Sequence, residues 1–260
     1  MDRFTLTVLC FSTFYCSQGT QGYEVDDKIV GGTEAVPNSV KFMVSVQFKL
    51  DGFHFCGGSI VNERNVVTSG HCCQTVTPEE IQIVAGEHSL SEVSGNEQVC
   101  PVRELLLHEK YNAFDFENDI CLLVLDKNIV YNDLVNRASI ATDDSSLKLT
   151  ASVYGWGATS NEAMANSEVL MKVDVPILKN EDCAQSYGNG VIHDFMLCAG
   201  ADGKDSCKRD TGSPLVCQNA VDEQVLCGTA SFGYDCGQPG FPGVYMRISS
   251  FSEWINENIQ

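Results

Sequence analysis

Three side chains in this sequence are of the types that cooperate in nucleophilic catalysis: a histidine, an aspartate and a hydroxyl residue. They are His71 in the segment T-S-G-H-C, Asp119 in N-D-I-C-L-L, and Thr211 in R-D-T-G-S-P. A histidine can take the proton of a hydroxyl group, and a carboxylate can hold that histidine in the required tautomer. A lone histidine beside a cysteine is more often structural, and a lone aspartate before an apolar run is usually a turn residue. The joint occurrence of all three in this order favours the catalytic interpretation.

The segments around these residues resemble those of trypsin-like proteases of the chymotrypsin family. That family carries G-D-S-G-G-P where this chain has R-D-T-G-S-P, and it carries A-A-H-C and D-I-A-L-L around its histidine and aspartate. The resemblance implies catalytic roles for His71, Asp119 and Thr211, with Arg209 and Thr211 at the oxyanion hole. The segments A-G-E-H and C-G-Q-P-G-F-P-G-V-Y look most similar to arthropod digestive trypsins.

Thr211 and Arg209 stand where the family has serine and glycine, and both changes are expected to weaken catalysis. The branched methyl of Thr211 stiffens χ1 and presses on His71 or on the space for the substrate carbonyl, or else the hydroxyl turns away from the base. A misplacement of about 1 Å costs on the order of 10²-fold in rate, and threonine nucleophiles typically use an N-terminal amine as base. The family's glycine at this position adopts its backbone conformation without penalty and supplies an N–H group to the oxyanion. Arg209 is expected to rotate that peptide and remove the donor, and one lost oxyanion donor costs roughly 10²–10³ in turnover.

The substrate pocket that the resemblance implies is one for a basic side chain. Asp205 stands six residues before Thr211, as in the members that select lysine or arginine. The segments S-F-G and P-G-V-Y match the family's pocket walls and contribute Ser231, Gly233 and Gly243. Arg209 folding back onto Asp205 would block this pocket, and the sequence leaves that alternative open.

The N-terminal region is predicted to be a leader that is removed in two steps. Residues 1–19 contain a basic start and an apolar run of the length of a secretory signal peptide, too short to span a membrane. Residues 20–28 end in V-D-D-K before I-V-G-G, which resembles the activation junction of trypsin-like zymogens. A trypsin-like activating protease would cleave after Lys28, and the new ammonium group of Ile29 would pair with buried Asp210.

The order of short apolar runs and turns predicts an all-β fold without a recurring helical pattern. The resemblance implies a protease domain over residues 29–260, built as two antiparallel six-stranded β-barrels at about 29–135 and 136–248. Strand patterning alone would not distinguish this fold from a sandwich. A C-terminal α-helix at about 250–259, capped by Ser250, follows from the spacing of four apolar residues: Phe251, Trp254, Ile255 and Ile259.

Thirteen cysteines in 260 residues indicate an oxidising compartment and a set of disulfides. The resemblance implies three pairs: Cys56–Cys72, Cys183–Cys198 and Cys207–Cys236. The family's usual partner for Cys217 would lie near Ala151 and is missing, so Cys227, across a predicted hairpin, is the candidate partner. Cys73 and Cys121 adjoin His71 and Asp119 and are predicted to form a fifth bond, which leaves Cys100 free or in an intermolecular link.

The charge balance and the remaining motifs limit the partners. A formal net charge of −19 excludes nucleic acid and anionic lipid as favoured ligands, and we expect a secreted monomer that does not bind membranes. The segment from Glu87 to Glu97 resembles the family's calcium loop. Ser94 stands where a third carboxylate is usual, so calcium binding should be weak or absent. No other cofactor is expected.

Two functions remain open on these observations. The first is a secreted protease homologue with lost or impaired catalysis, which binds substrates or protease inhibitors that present lysine or arginine. The second is an active but slow trypsin-like endopeptidase that uses Thr211 with His71 and Asp119. A purely structural role explains poorly why the pocket residue Asp205 and the activation junction are both present.

Overall fold

The computed structural model describes residues 31–158, 165–188, 190–203, 209–235 and 237–259. The predictions for Lys28, Ile29, Asp205, Cys207 and Cys236, and for the two leader segments, lie outside these residues. The chain forms thirteen strands and three helices within them. In order they are β1 (Thr33–Glu34), β2 (Met43–Phe48), β3 (His54–Asn62), β4 (Asn65–Thr68), α1 (Gly70–Gln74), β5 (Ile81–Ala85), β6 (Gln98–Leu107), β7 (Cys121–Leu125), β8 (Thr150–Gly155), β9 (Met171–Leu178), α2 (Asn180–Tyr187), β10 (Met196–Ala199), β11 (Pro214–Gln218), β12 (Gln224–Phe232), β13 (Gly243–Arg247) and α3 (Ile248–Asn258).

The strands form two closed antiparallel barrels of six strands each, which confirms the predicted all-β fold. The first barrel runs in the order β2-β3-β4-β7-β6-β5. The second runs β9-β10-β13-β12-β11-β8 and closes through pairing of β8 with β9. Strand β1 adds to β9, with Thr33 opposite Lys172. The segment that follows the predicted activation junction is therefore held on the second barrel.

The strand sequences explain which faces are buried. In β9, Met171, Val173 and Val175 point into the second barrel, whereas Lys172 and Asp174 lie on the outer face and form an ion pair of 2.9 Å. This is the alternation expected of a strand with one face in a core. All five residues of β7 are buried, so both faces of that strand are covered.

The C-terminal helix begins earlier than predicted. It covers Ile248–Asn258, follows Arg247 directly and has no side-chain cap, so Ser250 lies inside its first turn. The helix leaves β13 without a connecting turn, which explains the missing cap. Phe251 and Trp254 pack against His108, which follows β6 of the first barrel, with ring centroids 5.5 and 4.9 Å apart. The helix thus ties the second barrel to the first. Helices α1 and α2 had no counterpart in the sequence prediction.

Four of the predicted disulfides lie within the described residues and are formed: Cys56–Cys72, Cys73–Cys121, Cys183–Cys198 and Cys217–Cys227. Cys217 lies opposite Ala151 in the pairing of β11 with β8, so the alanine stands where a second cysteine would be needed. The hairpin partner Cys227 on β12 replaces it. Cys100 is a buried free thiol. In the described residues, no helix is both long and apolar enough to cross a membrane.

The two unconventional disulfides should differ in what they contribute to stability. Cys73–Cys121 joins residues 48 positions apart, whereas Cys217–Cys227 joins residues 10 apart. Loop-closure entropy then predicts losses of about 4 kcal/mol for Cys73→Ala/Cys121→Ala and about 2.7 kcal/mol for Cys217→Ala/Cys227→Ala. Urea unfolding of both double variants beside the native protein measures the two losses of unfolding free energy. A larger loss from removing Cys217–Cys227 would contradict the prediction from loop-closure entropy.

Candidate active site

His71 and Asp119 meet in the cleft between the two barrels. His71 lies in α1, directly after β4, and Asp119 directly precedes β7, the strand that pairs with β4. The Nδ1 of His71 lies 2.8 Å from Asp119 Oδ2, and the backbone N–H of His71 donates to Asp119 Oδ1 at 2.8 Å. Because Nδ1 faces a carboxylate, it carries the ring proton and leaves Nε2 as the base.

The Asp119 carboxylate receives a third hydrogen bond from the other barrel. Ser231 at the end of β12 donates its hydroxyl to Asp119 Oδ2, and both residues are buried. A fully buried carboxylate requires such donors, and here it has three. Sequence reasoning placed Ser231 only in the pocket wall and missed this contact, because the two residues are 112 positions apart.

The loop around Thr211 is held by backbone contacts with both barrels. Gly57 N–H of β3 donates to Thr211 O at 2.8 Å, and Gly212 N–H donates to Ala230 O at 2.9 Å. Gly212 has a φ of 80°, and a Cβ atom there would lie 2.4 Å from Gly57 O, so this position requires glycine. Ser213 buries its hydroxyl against Gly57, without a hydrogen-bond partner in the described chain.

Thr211 is the third of the candidate catalytic residues. Thr211 is half-buried and lies in the loop that its backbone contacts fix. Among the described residues, no hydrogen bond joins Thr211 Oγ1 to His71 Nε2, although the histidine is fully oriented by Asp119. Activation of a hydroxyl nucleophile requires that contact, which is often longer in an enzyme without substrate.

Arg209 keeps a left-handed backbone, with a φ of 72°. The expected shift away from the conformation that glycine prefers has therefore not occurred in φ, although a non-glycine residue in that region costs about 1–3 kcal/mol. The side chain contacts a connection of each barrel: Phe53 between β2 and β3, and Asn166 between β8 and β9. Arg209 Nη1 donates to Asn166 Oδ1 at 3.2 Å, and the guanidinium lies 5.6 Å from the centre of the Phe53 ring. Asp205, the alternative partner, lies outside the described residues.

A buried histidine that sequence reasoning missed holds the Arg209 carbonyl. His54 Nε2 donates to Arg209 O at 3.2 Å, and His54 Nδ1 lies 2.8 Å from Ser45 Oγ. Burial, aided by the positive charge of Arg209 and opposed by the backbone hydrogen bond, lowers the pKa of His54 to about 4. The ring is therefore neutral, donating at Nε2 and accepting at Nδ1. The available signal was its position two residues before Cys56 on the same strand, which points both side chains inward.

Asp210, which directly precedes Thr211, is fully buried. Its Oδ1 accepts a hydrogen bond of 2.8 Å from Gly157 N–H. A Cβ atom at Gly155 or Gly157 would lie 1.9 or 2.5 Å from the Asp210 carboxylate, so both glycines leave room for that side chain. The predicted ion pair with Ile29 stays a prediction, because Ile29 lies outside the described residues.

Aromatic side chains form the wall of the cleft beside His71. Phe116, at a φ of 57°, packs edge-on against His71 with ring centroids 5.5 Å apart, and it stacks on Phe232 at 5.5 Å. Gly233, next to Phe232, is exposed, and Gly243 is buried at the start of β13. Phe116 was not identified from sequence, because its loop has no motif of its own.

The carboxylates of the acidic loop from Glu87 to Glu97 accept hydrogen bonds from the loop itself. Glu97 already accepts hydrogen bonds from Ser94 N–H at 2.8 Å, Ser94 Oγ at 2.7 Å and Gly95 N–H at 2.8 Å. The described residues contain no group of three or more histidine, cysteine or acidic side chains placed to hold a metal. Calcium takes six to eight oxygen ligands. Both carboxylate oxygens of Glu97 already accept hydrogen bonds, Oε1 from Ser94 and Oε2 from Gly95.

A histidine–aspartate pair in the cleft between two closed antiparallel barrels is the arrangement of the chymotrypsin-like proteases. The family model described as Trypsin matches residues 29–255. Trypsin-1 of Astacus astacus is 39% identical over 237 residues, which are 88% of this chain and 99% of that protein. Trypsin-2 of Salmo salar is 37% identical over 90% of this chain and 96% of its own length, and Trypsin-3 of Homo sapiens is 36% identical over 91% and 74%. The chain therefore belongs to the trypsin family of serine proteases.

The acidic loop should make stability depend on pH. Burial, together with the negative charge of Glu97, raises the pKa of Glu87 from 4.5 to about 7. Between pH 4.5 and pH 7 the Glu87 carboxyl group keeps its proton in the folded protein, whereas the unfolded chain releases it. The stabilisation of the folded state by the protonated carboxyl group is therefore fully present below about pH 4.5 and is lost as pH rises toward 7. Relative to Glu87→Gln, the native protein should lose on the order of 1 kcal/mol of unfolding free energy across this range, after allowance for solvent screening.

Urea unfolding between pH 4.5 and 7.5 measures this difference, and Glu253→Gln, an exposed carboxylate on α3, is the matched control. The control should run parallel to the native protein at every pH. A difference between native protein and Glu87→Gln that does not change with pH would contradict the assignment. Millimolar calcium should leave all three curves unchanged.

Proposed function

We propose that this protein is a secreted trypsin-like protease homologue whose catalysis is lost or severely impaired, and that it acts by binding. Its ligands would be protein or peptide substrates, or protease inhibitors, that present lysine or arginine to the pocket of Asp205, Ser231, Gly233 and Gly243. Trypsin-like proteases act on protein substrates and bind inhibitors, so this role uses the family's surface without its chemistry.

The observation that carries the proposal is a difference between the two sides of the His71 ring, one facing Asp119 and the other facing Thr211. His71 is oriented by two hydrogen bonds to Asp119, whereas Thr211 Oγ1 has no hydrogen bond to His71 in the described residues. A threonine methyl group in a site shaped for serine explains that gap, because it restricts χ1. A loss of about 1 Å in alignment costs on the order of 10²-fold.

Arg209 supports the same proposal from the other side of Thr211. Its guanidinium lies on Phe53 and bonds Asn166 next to the nucleophile loop, so a substrate chain entering there meets a bulky cation where the family has no side chain. Phe53 lies between β2 and β3, and Asn166 lies between β8 and β9, so the guanidinium contacts a connection of each barrel. The pocket around Asp205 is proposed to stay open for a basic ligand.

One observation favours the alternative, an active but slow endopeptidase. Arg209 retains its positive φ, and within the described chain the Thr211 N–H donates to no other group. An oxyanion could therefore still be stabilised if Thr211 aligned with His71 on substrate binding. A slow endopeptidase requires Thr211 to align with His71, so turnover measurements distinguish it from a protein that only binds.

The cellular setting is proposed on sequence grounds. The apolar leader and the many disulfides fit a secreted protein in an oxidising compartment. Cleavage after Lys28 by a trypsin-like protease would release Ile29 to pair with Asp210. We propose a monomer that needs no cofactor.

Hydrolysis of an arginyl amide by the chain cleaved after Lys28 tests the proposal. The native protein should be slower than the variant Arg209→Gly/Thr211→Ser/Ser213→Gly by on the order of 10³-fold or more, since misalignment and a damaged oxyanion hole both act on the transition state. The rate of the single variant Thr211→Ser shows how much of the difference comes from position 211 and how much from Arg209 and Ser213.

Benzamidine binding supplies the matched test of the pocket. The native protein and Thr211→Ser should bind it equally, because it occupies the basic pocket without contacting a nucleophile. Native turnover that His71→Ala abolishes would overturn the catalytic half of the proposal. No measurable benzamidine binding by either protein would overturn the binding half.

A further inference from the structure

The guanidinium of Arg209 has a defined place beside the loop of Thr211. It lies 5.6 Å from the centre of the Phe53 ring, and its Nη1 donates to Asn166 Oδ1 at 3.2 Å. Phe53 belongs to the connection between β2 and β3 of the first barrel, and Asn166 belongs to the connection between β8 and β9 of the second. The guanidinium therefore lies at the junction of the two barrels.

The main chain and the side chain of Arg209 are both anchored to the same buried histidine. His54 Nε2 donates to the Arg209 carbonyl at 3.2 Å, and Asn166 Nδ2 donates to the His54 carbonyl at 2.9 Å. Because the Arg209 side chain in turn bonds Asn166, these hydrogen bonds form a closed circuit of three residues. The circuit orients the guanidinium before a ligand arrives, and a group that needs no reordering on binding contributes more to affinity.

The main chain of Arg209 places this charge next to the path of a bound ligand. Arg209 lies two residues before Thr211 and carries one of the predicted oxyanion N–H groups, so its side chain starts one bond beyond a group that faces the ligand backbone. On the other side, the rings of Phe116 and Phe232 form an apolar wall beside His71. A charged neighbour of the ligand's basic residue gains nothing from that wall, whereas Arg209 attracts an acidic one.

The position of Arg209 makes its charge effective. The whole chain has 35 acidic and 16 basic residues, and such a charge balance repels acidic ligands. Arg209 is half-buried, so water screens its charge less than the charge of a fully exposed side chain. A planar guanidinium also matches the two oxygens of a carboxylate better than an ammonium group does. An acidic side chain is therefore the group that this part of the site suits best.

We propose that Arg209 is a specificity-determining residue, which selects ligands that carry an acidic residue within two positions of the basic residue in the pocket. This inference rests on the proposed function, since the ligand must first place its lysine or arginine near Asp205. It adds the class of partner: a loop of a protease inhibitor or protein substrate with a basic and an acidic side chain close together. The side chain that hinders a neutral substrate chain would then attract an acidic one.

Displacement of p-aminobenzamidine, a fluorescent ligand of basic pockets, tests the proposal in the chain cleaved after Lys28. Three cyclic peptides with one arginine serve as competitors: one has glutamine on both sides of the arginine, one has glutamate before it, and one has glutamate after it. One of the two glutamate peptides should bind the native protein roughly tenfold more tightly than the glutamine peptide, as a partly buried charge pair allows.

Three variants identify the residue that reads the glutamate. Arg209→Gln should abolish the preference, and Arg209→Lys should keep part of it, because it retains the charge but not the planar group. Lys127→Gln is the matched control, since it removes one positive charge at an exposed position after β7 and should keep the full preference. The two affinities are compared within each protein, so a general change in affinity cancels.

The outcomes separate this inference from the proposed function. Equal affinity of the native protein for all three peptides would overturn selection by Arg209 and leave binding of basic ligands standing. A glutamate preference that persists in Arg209→Gln would also overturn it, because another residue would then read the acid. Peptides that fail to displace a bound probe would overturn it as well. A probe that does not bind at all would contradict the proposed function, and with it this inference.

Discussion

The active-site region depends on one buried carboxylate. Asp119 is fully buried and accepts hydrogen bonds from the His71 ring, the His71 backbone and the Ser231 hydroxyl. The first two donors belong to the first barrel and the third to the second barrel, so the carboxylate fixes the histidine and joins the barrels at the cleft. Removing its donors would leave a buried charge without compensation. The disulfide Cys73–Cys121 closes the same region covalently, two residues after His71 and two residues after Asp119.

The loop of Arg209, Asp210 and Thr211 is fixed by a second set of contacts, independent of those to Asp119. His54 holds the Arg209 carbonyl, Gly57 holds the Thr211 carbonyl, and Gly157 bonds Asp210. Each contact acts on the backbone or on a buried carboxylate, so none of them requires serine at position 211. This explains how the scaffold tolerates Thr211 and Arg209 with its frame intact.

The motifs around His71, Asp119 and Thr211 resemble those of the chymotrypsin family, and that resemblance predicted the two barrels and the approach of His71 to Asp119. The strand pattern by itself predicted only an all-β fold, because it does not distinguish a barrel from a sandwich. The pairing of Cys217 with Cys227 also follows from local hairpin geometry. The contact from Ser231 to Asp119 and the support of Arg209 by His54 were not predicted, since they join distant segments through packing alone. The short helices were missed for a related reason: tertiary contacts, and not intrinsic propensity, stabilise helices of this length. The early start of α3 is within the usual uncertainty of helix ends.

The proposed loss of catalysis rests mainly on Thr211, which we propose is not an effective nucleophile beside the oriented His71. The most direct measurement is the burst of nitrophenol released by p-nitrophenyl guanidinobenzoate, an arginine-like acylating ester, from protein cleaved after Lys28. The native protein should show no burst, while Thr211→Ser should release close to one equivalent, because its hydroxyl can align with His71. A full burst from the native protein that disappears in His71→Ala would contradict the account.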